Sequence, residues 1–336
     1  LPVTNATVVG WGTVGYSADQ NAAIPPLNLA NIARVAAGSV HALSVDTNGS
    51  VTIWGLDAFG ALTLPGGLSQ VVDVAAGDYY STALKADGTV VCWGSYAQYP
   101  AAMPVGLRDV AAISVGHIFN LALKTDGSVV GWGGPSIPDG LSGVISVAAG
   151  MNFGLALKAD GTVVAWGDNS FGQSTVPPGL SSVVAIAAGD QHSLAVKSDG
   201  TVVSWGWNDN GQSTVPVGLD NVVAVAAGTS HSVALRSDGT VVGWGKNDVG
   251  QSSAMSQLLS IVGGPRYNLG LTQVVSPSIT TQPTIQTAVA GRHATFAVLA
   301  AGTGLSYQWR RAGVNLTNSD RITGANGPQL RIICLT

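Results

Sequence analysis

The residue types that could do acid–base or metal chemistry in this 336-residue chain are five histidines and eighteen acidic residues, every one of them aspartate. His41, His192 and His231 each stand three residues after a glycine, at Gly38, Gly189 and Gly228. The same slot after Gly77, Gly116, Gly150 and Gly264 holds Tyr80, Phe119, Phe153 and Tyr267. A slot that accepts His, Tyr or Phe asks for a flat ring rather than a ligating nitrogen. Packing, with each His bonded to a neighbouring backbone group, is the expectation there. His117 falls instead in the first slot after its glycine, where an exposed role is open. Trp207 to Gly211 (Trp-Asn-Asp-Asn-Gly) begins like a calcium loop but lacks the remaining ligand spacing. Gly10-Trp11-Gly12-Thr13-Val14-Gly15 spells the dinucleotide fingerprint, which works only at the start of a helix; here it ends a strand. No G-x-S-x-G elbow, P-loop or H-E-x-x-H occurs. The expectation is therefore no catalytic residue, no metal and no cofactor.

What must position these residues is a repeat. Trp-Gly pairs occur at Trp11, Trp54, Trp93, Trp132, Trp166, Trp205 and Trp244. The last six each lie 16 residues after a glycine that ends an Ala-Ala-Gly-like triplet, from Gly38–Trp54 through Gly228–Trp244. Such self-similarity marks a repeat architecture. Within residues 183–216, Val183 to Ala188, Ser193 to Lys197 and Thr201 to Trp205 read as strands, and Ser213 to Val215 as a short fourth. Asp199-Gly200 is a hairpin turn, recurring at Asp87, Asp126, Asp160 and Asp238. Four short antiparallel strands per unit predict an all-β propeller blade. The final unit stops after Leu271 without its Trp-Gly strand, which Ala6 to Gly12 would supply. The chain thus predicts a seven-bladed β-propeller over residues 1–273, closed by N- and C-terminal strands sharing one blade.

The run Ala-Ala-Gly-x-x-His-Ser-x-Ala-Leu-Lys-x-Asp-Gly-Thr-Val-Val-x-Trp-Gly resembles the regulator of chromosome condensation repeats in their bacterial form. Trp166 to Pro177, Trp-Gly-Asp-Asn-Ser-Phe-Gly-Gln-Ser-Thr-Val-Pro, is similar to the blades of secreted proteinaceous β-lactamase inhibitors. The resemblance covers about residues 1–273 and implies a propeller that binds proteins, by enzyme inhibition or, in eukaryotic relatives, by nucleotide exchange on a small GTPase. No exchange wedge is recognisable here.

Residues 274–278 read as a linker. Beyond it, Ile279 to Pro283, Val289 to Gly291, Ala294 to Ala300 and Leu305 to Trp309 resemble the front half of an immunoglobulin-like β-sandwich, with Trp309 on strand C and Leu330 to Ile332 on strand E. Residues 279–336 are read as a partial domain without strands F and G. Phe296 occupies the strand B position of a cysteine, so no inter-sheet disulfide is expected. Residues 277–336 carry five arginines against one aspartate, whereas the rest carries nine basic and seventeen acidic residues. An acidic main domain argues against nucleic acid, which needs clustered Lys and Arg. No apolar run of about eighteen residues could span a membrane. Low charge, a start on Leu1 and abundant Thr, Ser and Gly suggest an extracellular or cell-surface setting.

Loops after strands one and three share one face of an antiparallel blade. The other face is monotonous, built of Asp-Gly and Pro-x-Gly-Leu turns. Variation on the first face marks it for binding: Phe59, Tyr79, Tyr96, Tyr99, His117, Ile118, Met151, Phe171 and Trp207. The functional expectation is a secreted or cell-surface, non-catalytic binding or adhesion module that contacts a protein or polysaccharide. Alternatives are a filament subunit that self-associates by strand complementation of the partial domain, and a proteinaceous enzyme inhibitor. Among the second slots of the first loops only Tyr79 is aromatic, whereas the inhibitor resemblance implies aromatics there. Micromolar protein should therefore leave nitrocefin hydrolysis by a β-lactamase unchanged; measurable slowing would reinstate inhibition.

Overall fold

The computed structural model describes residues 6–13, 21–94, 103–117, 119–274, 278–284, 286, 293–301 and 307–333. The chain divides into two compact units, Leu1–Gln273 and Val274–Thr336. The first is an all-β propeller in which the described residues form seven three-stranded antiparallel sheets. Sheets one to six occupy residues 32–55, 71–94, 110–132, 144–167, 183–206 and 222–245. Sheet seven joins Leu258–Gly263 and Tyr267–Gln273 to the N-terminal strand Ala6–Gly12, with Val8 opposite Leu271 and Val9 opposite Gly270. The first strands of successive sheets touch in order, and that of sheet seven touches that of sheet one, so they form an inner ring.

Each sheet follows from its local code. In sheet five the strands are Val183–Ala188, His192–Lys197 and Val202–Gly206. The hairpin between the last two is tight because Gly200 adopts φ 79° at no steric cost and Asp199 accepts bonds from the Thr201 backbone N–H at 3.0 Å and hydroxyl at 2.6 Å. The expected fourth strand at Ser213 to Val215 does not form. Its donors are taken locally instead: the Ser213 N–H goes to Asn208 Oδ1 at 2.8 Å and the Thr214 N–H to the Gly211 carbonyl at 3.0 Å. A segment this short gains more from closing its own turn than from a ladder.

In the second unit, His293–Ala297 pairs with Gln329–Ile333, which also pairs with Ile322–Thr323. Ser278–Thr281 pairs with Leu299–Ala301, and Arg310–Arg311 with Val314–Asn315. Trp309 lies against Phe296 with ring centroids 6.4 Å apart and donates its indole N–H to the Gly327 carbonyl at 2.9 Å. The strand expected at Val289 to Gly291 and the start of that expected at Leu305 to Trp309 lie outside the described residues; Tyr307 to Trp309 form no strand, and pairing begins instead at Arg310.

The propeller core is shared between neighbours rather than held within a sheet. Phe153, Leu155 and Leu157 of sheet four pack with Val183, Ala195 and Trp205 of sheet five. A tryptophan in such a seam is stabilised by a partner for its buried N–H; Trp54, Trp93, Trp205 and Trp244 have one, whereas Trp11, Trp132 and Trp166 have none among the described residues. Trp205 donates to the Gln173 carbonyl and Trp244 to the Gln212 carbonyl, each at 2.8 Å, and Trp54 to the Ala22 carbonyl at 2.9 Å. Each acceptor belongs to the preceding loop, so the Trp-Gly signature bolts one sheet to the one before it. At the axis, a Cβ on Gly38 would stand 2.5 Å from the Gly77 carbonyl oxygen, and one on Gly116 would overlap that of Gly150. Here glycine is required by the neighbour, not by its own backbone angle.

The ring slot three residues after each glycine completes the seam. Tyr80, Phe153, His192, His231 and Tyr267 each lie over their own module glycine, and all seven slot residues are buried. Their polar tips reach the next sheet. His41 Nε2 meets Ser81 Oγ at 2.8 Å, His192 Nε2 meets Ser232 Oγ at 2.9 Å, and His231 Nε2 meets Asn268 Oδ1 at 2.9 Å. The Tyr267 hydroxyl donates to the His41 carbonyl at 3.0 Å, across the junction of sheets seven and one. The backbone partner expected for the histidines is not found: all three meet side chains one sheet away. Ser232 spends its hydrogen on the Gln212 carbonyl at 2.9 Å, so His192 must donate from Nε2. Nδ1 of all three histidines is buried without a partner among the described residues.

Burial therefore holds His41 and His192 down at about 4, below the usual 6.5, and lowers His231 as well. As pH falls from 6.5 towards 4 the unfolded chain takes up protons that the folded chain refuses, so stability present above pH 6.5 is lost. His192→Phe should reduce that acid loss, because Phe153 already occupies the same slot beside Ser193, which bonds the Gln173 carbonyl at 2.9 Å. Urea unfolding of both proteins between pH 7 and about pH 4 checks this; an unchanged pH slope would refute it.

Candidate functional site

Loops one and three of each sheet are stitched together on one face. The Leu56 N–H bonds the Val40 carbonyl at 2.9 Å, Asp168 that of Asn152 at 2.8 Å, Trp207 that of Gln191 at 2.9 Å, and Lys246 that of Ser230 at 2.9 Å. Three of the third loops are built on glutamines that sequence reasoning did not single out. Gln173, Gln212 and Gln251 are buried, and their Oε1 atoms accept the N–H of Phe171, Asn210 and Val249 at 2.9, 2.9 and 3.0 Å. Gln173 Nε2 also holds Asp168 at 3.0 Å. A conformationally fixed loop loses less entropy when it binds. The signal was available, since Gln ends each Asn-x-x-Gly-Gln turn, but a polar residue in a loop reads as solvated.

Two aromatic pairs stand on this face. Phe59 from the third loop of sheet one meets Tyr79 from the first loop of sheet two edge-on, with centroids 5.3 Å apart and planes at 79°. Phe59 is 54% exposed and has φ 58°, a left-handed conformation costly for a residue with a Cβ. Phe171 is 46% exposed and lies 5.9 Å from Trp207 at 49°. Met151 is exposed too. Tyr96, Tyr99 and Ile118 fall outside the described residues. Of the expected contact residues, then, the structure pairs four and leaves Met151 apart from these pairs.

His117 has a different place. The first slots after each glycine converge on the axis, where adjacent sheets bond through their backbones: Ser39 N–H to the Gly77 carbonyl at 3.2 Å, Met151 to Asp190 at 3.3 Å, and Thr229 to Pro265 at 3.1 Å. Above a small cavity ringed by Gly38, Gly77, Gly116, Gly150, Gly189 and Gly228, the imidazole of His117 spans the mouth. Its Nδ1 pairs with Asp78 Oδ2 and its Nε2 with Asp190 Oδ1, each at 3.0 Å. Ser39 Oγ donates to Asp78, and the Thr229 side chain bonds Asp190. His117 is therefore an axial clasp among sheets two, three and five, not an outward contact. Two acids and a base cluster here because strand ends distant in sequence meet at the axis. With carboxylates on both ring nitrogens the clasp has no free base, and Ser39 bonds Asp78 rather than the histidine. Among the described residues no group of three His, Cys, Asp or Glu could hold a metal ion.

Burial opposes a charge on His117, but hydrogen bonds to and attraction by Asp190 and Asp78 outweigh it and raise its pKa to about 10. Burial likewise works against the Asp190 carboxylate, and His117 outweighs it, holding that group below its ordinary range. Above pH 6.5 the unfolded histidine is neutral while the folded one keeps its proton, so the clasp's stabilisation is lost as pH rises through about 10. Thermal melting should show a decline between pH 7 and about pH 10 that His117→Gln abolishes. A variant that melts in parallel with the wild type at every pH would contradict the clasp.

The family model of the regulator of chromosome condensation (RCC1) repeat matches residues 71–95, 144–173, 183–212 and 222–251. Comparison with curated proteins gave no match. Among solved structures, Prp20p from Saccharomyces cerevisiae is similar at 22% identity, with TM-score 0.67 over 82% of this chain and 93% of that one. Yeast RCC1 (Prp20) with Kap60 bound gives 21% identity and TM-score 0.66 over 82% and 90% of the two chains. Human WBSCR16 gives 18% identity and TM-score 0.62 over 80% and 98%. At such identities the likeness is one of fold. The Trp-Gly seams, the glycine ring at the axis and these matches together support a β-propeller that carries RCC1-type repeats over the matched segments.

Proposed function

We propose that this chain is a secreted or cell-surface, non-catalytic binding module that engages a protein through the loop face of its propeller. On this reading the propeller is seven-bladed, which the seven sheets and the Val8–Leu271 and Val9–Gly270 pairings support. The second unit is a partial immunoglobulin-like sandwich serving as spacer or attachment, a reading supported by the packing of Trp309 on Phe296. The observation that carries the proposal is the two aromatic pairs on the loop face, Phe59–Tyr79 and Phe171–Trp207, in which Phe59 and Phe171 are exposed and the Phe171 and Trp207 loops are fixed by the buried Gln173 and Gln212. Aromatic side chains offer large contact area with few rotatable bonds, and they dominate the energetics of protein interfaces. Protein is favoured over polysaccharide because both pairs are inclined, at 79° and 49°, rather than coplanar platforms for flat sugar faces. Relatives in fold bind proteins: one structure has Kap60 bound to yeast RCC1, and another concerns the binding of Prp20p to Gsp1p and histones.

The test is retention of surface-protein extracts and of an immobilised glycan panel on the full chain, compared with Phe171→Ala/Trp207→Ala and Phe59→Ala/Tyr79→Ala. A protein held by the wild type and weakened about tenfold or more in either variant supports the proposal, since an anchor contributes about 1.4 kcal/mol or more. Retention of glycan but not protein would transfer the site to polysaccharide. Equal protein retention by wild type and both variants would remove the loop face from consideration.

A further inference from the structure

The opposite face of the propeller, built of turns, carries a feature that the loop face does not. One residue before each first strand is in the left-handed region: Asn31, Gln70, Asp109, Ser182, Asn221 and Gln257 at φ 54–62°, and Gly143 at 67°. The strand that follows skips one residue in its pairing, a β-bulge in every sheet. The skipped residue has no cross-strand partner and turns outward. In five sheets it is a large aliphatic, Val72, Ile145, Val184, Val223 and Leu259, between 43% and 57% exposed. In the other two it is Ala33 and Ala111. The first strands form the inner ring, so these residues surround its turn-side mouth. Backbone geometry explains their exposure but not their apolar identity, since no packing need keeps Ser, Lys or Asp out.

We propose that this apolar annulus is the interface of a homodimer in which two propellers meet turn face to turn face. A second copy fits for two reasons. The annulus repeats one residue class around an axis and contains no single polar anchor, so the surface that matches it must repeat in the same way; its own copy does so through a two-fold axis. The rim is also self-complementary in charge. Each Asp-Gly hairpin bonds the start of the next first strand, as Val183 N–H does the Gly161 carbonyl at 3.0 Å, which places the hairpins around the annulus. Those hairpins carry both signs two residues apart, in the pairs Lys85–Asp87 at 3.4 Å, Lys158–Asp160 at 3.7 Å and Lys197–Asp199 at 3.1 Å. Two such rims bring opposite charges together as readily as like ones, where a rim of one sign would repel its copy. Exposed aliphatics inside a polar rim are the arrangement expected of an association site.

Sedimentation velocity of the full chain up to about 100 µM tests this, a range that detects dimers of micromolar affinity. The wild type should approach the mass of a dimer with rising concentration. Val184→Asp/Val223→Asp should stay monomeric, and Val184→Thr/Val223→Thr, which keeps the branched shape and adds two hydroxyls, should weaken association about tenfold or more. The threonine variant serves the test even if the aspartates disturb folding. Phe171→Ala, on the other face, should dimerise as the wild type does. A wild type that remains monomeric throughout, a dimer that survives in both annulus variants, or one lost in Phe171→Ala would each overturn the proposal. None of these outcomes bears on binding at the loop face.

Discussion

The close approach of neighbouring sheets at the propeller axis is the constraint on which the rest of the structure depends. Seven first strands cannot meet around one line unless their ends carry no side chain, and the Gly38–Gly77 and Gly116–Gly150 contacts leave no room for a Cβ. Once the backbones are that close, a flat ring three residues on can lie over its own glycine and still reach across the seam. His192 to Ser232 and Tyr267 to His41 are instances of one solution with different atoms. Trp54, Trp93, Trp205 and Trp244 do the same further out, lending the indole N–H to the preceding loop. Stability in such a ring lies in the seams, so no sheet is held by its own strands alone.

Near-identical repeats create a symmetric axis, and the first slots break that symmetry. Ser39, Asp78, His117, Asp190 and Thr229 form one hydrogen-bonded line across the mouth of the axial cavity. Two kinds of histidine coexist within this short distance. Those in the seams are kept neutral by burial, and the one at the axis is kept charged by two carboxylates. Their linkage to pH has opposite sign, which places the stability maximum between the two windows. Function, on the reading offered above, is carried by what the scaffold leaves over: loop aromatics such as Phe59 and Phe171, which face solvent, the latter on a loop whose backbone is pinned by Gln173.

Features with short reach were legible in the chain. Asp199 bonds Thr201 two residues away, so the hairpin is written in adjacent letters. The Trp-Gly strand and the Ala-Ala-Gly end could be read as a repeated unit because every copy meets the same neighbour. Pairing of a histidine slot with the following sheet was not legible, because Ser81 lies 40 residues beyond His41 and nothing local marks it as the partner. The buried glutamines were passed over for the opposite reason, since the local code describes a turn and is silent on what the turn packs against.

The amino-acid sequence by itself determined an all-β repeat, its hairpins and the residues that vary on one face, because alternation, glycine turns and slot equivalence act over a few positions. Only the tertiary structure decided that His117 faces Asp78 and Asp190, the latter 73 residues away, rather than solvent. Only there, too, do the bulged aliphatics stand in a ring. Both outcomes depend on where the strand ends are brought when the sheets pack about a common axis, and that arrangement is a property of the closed ring rather than of any single repeat.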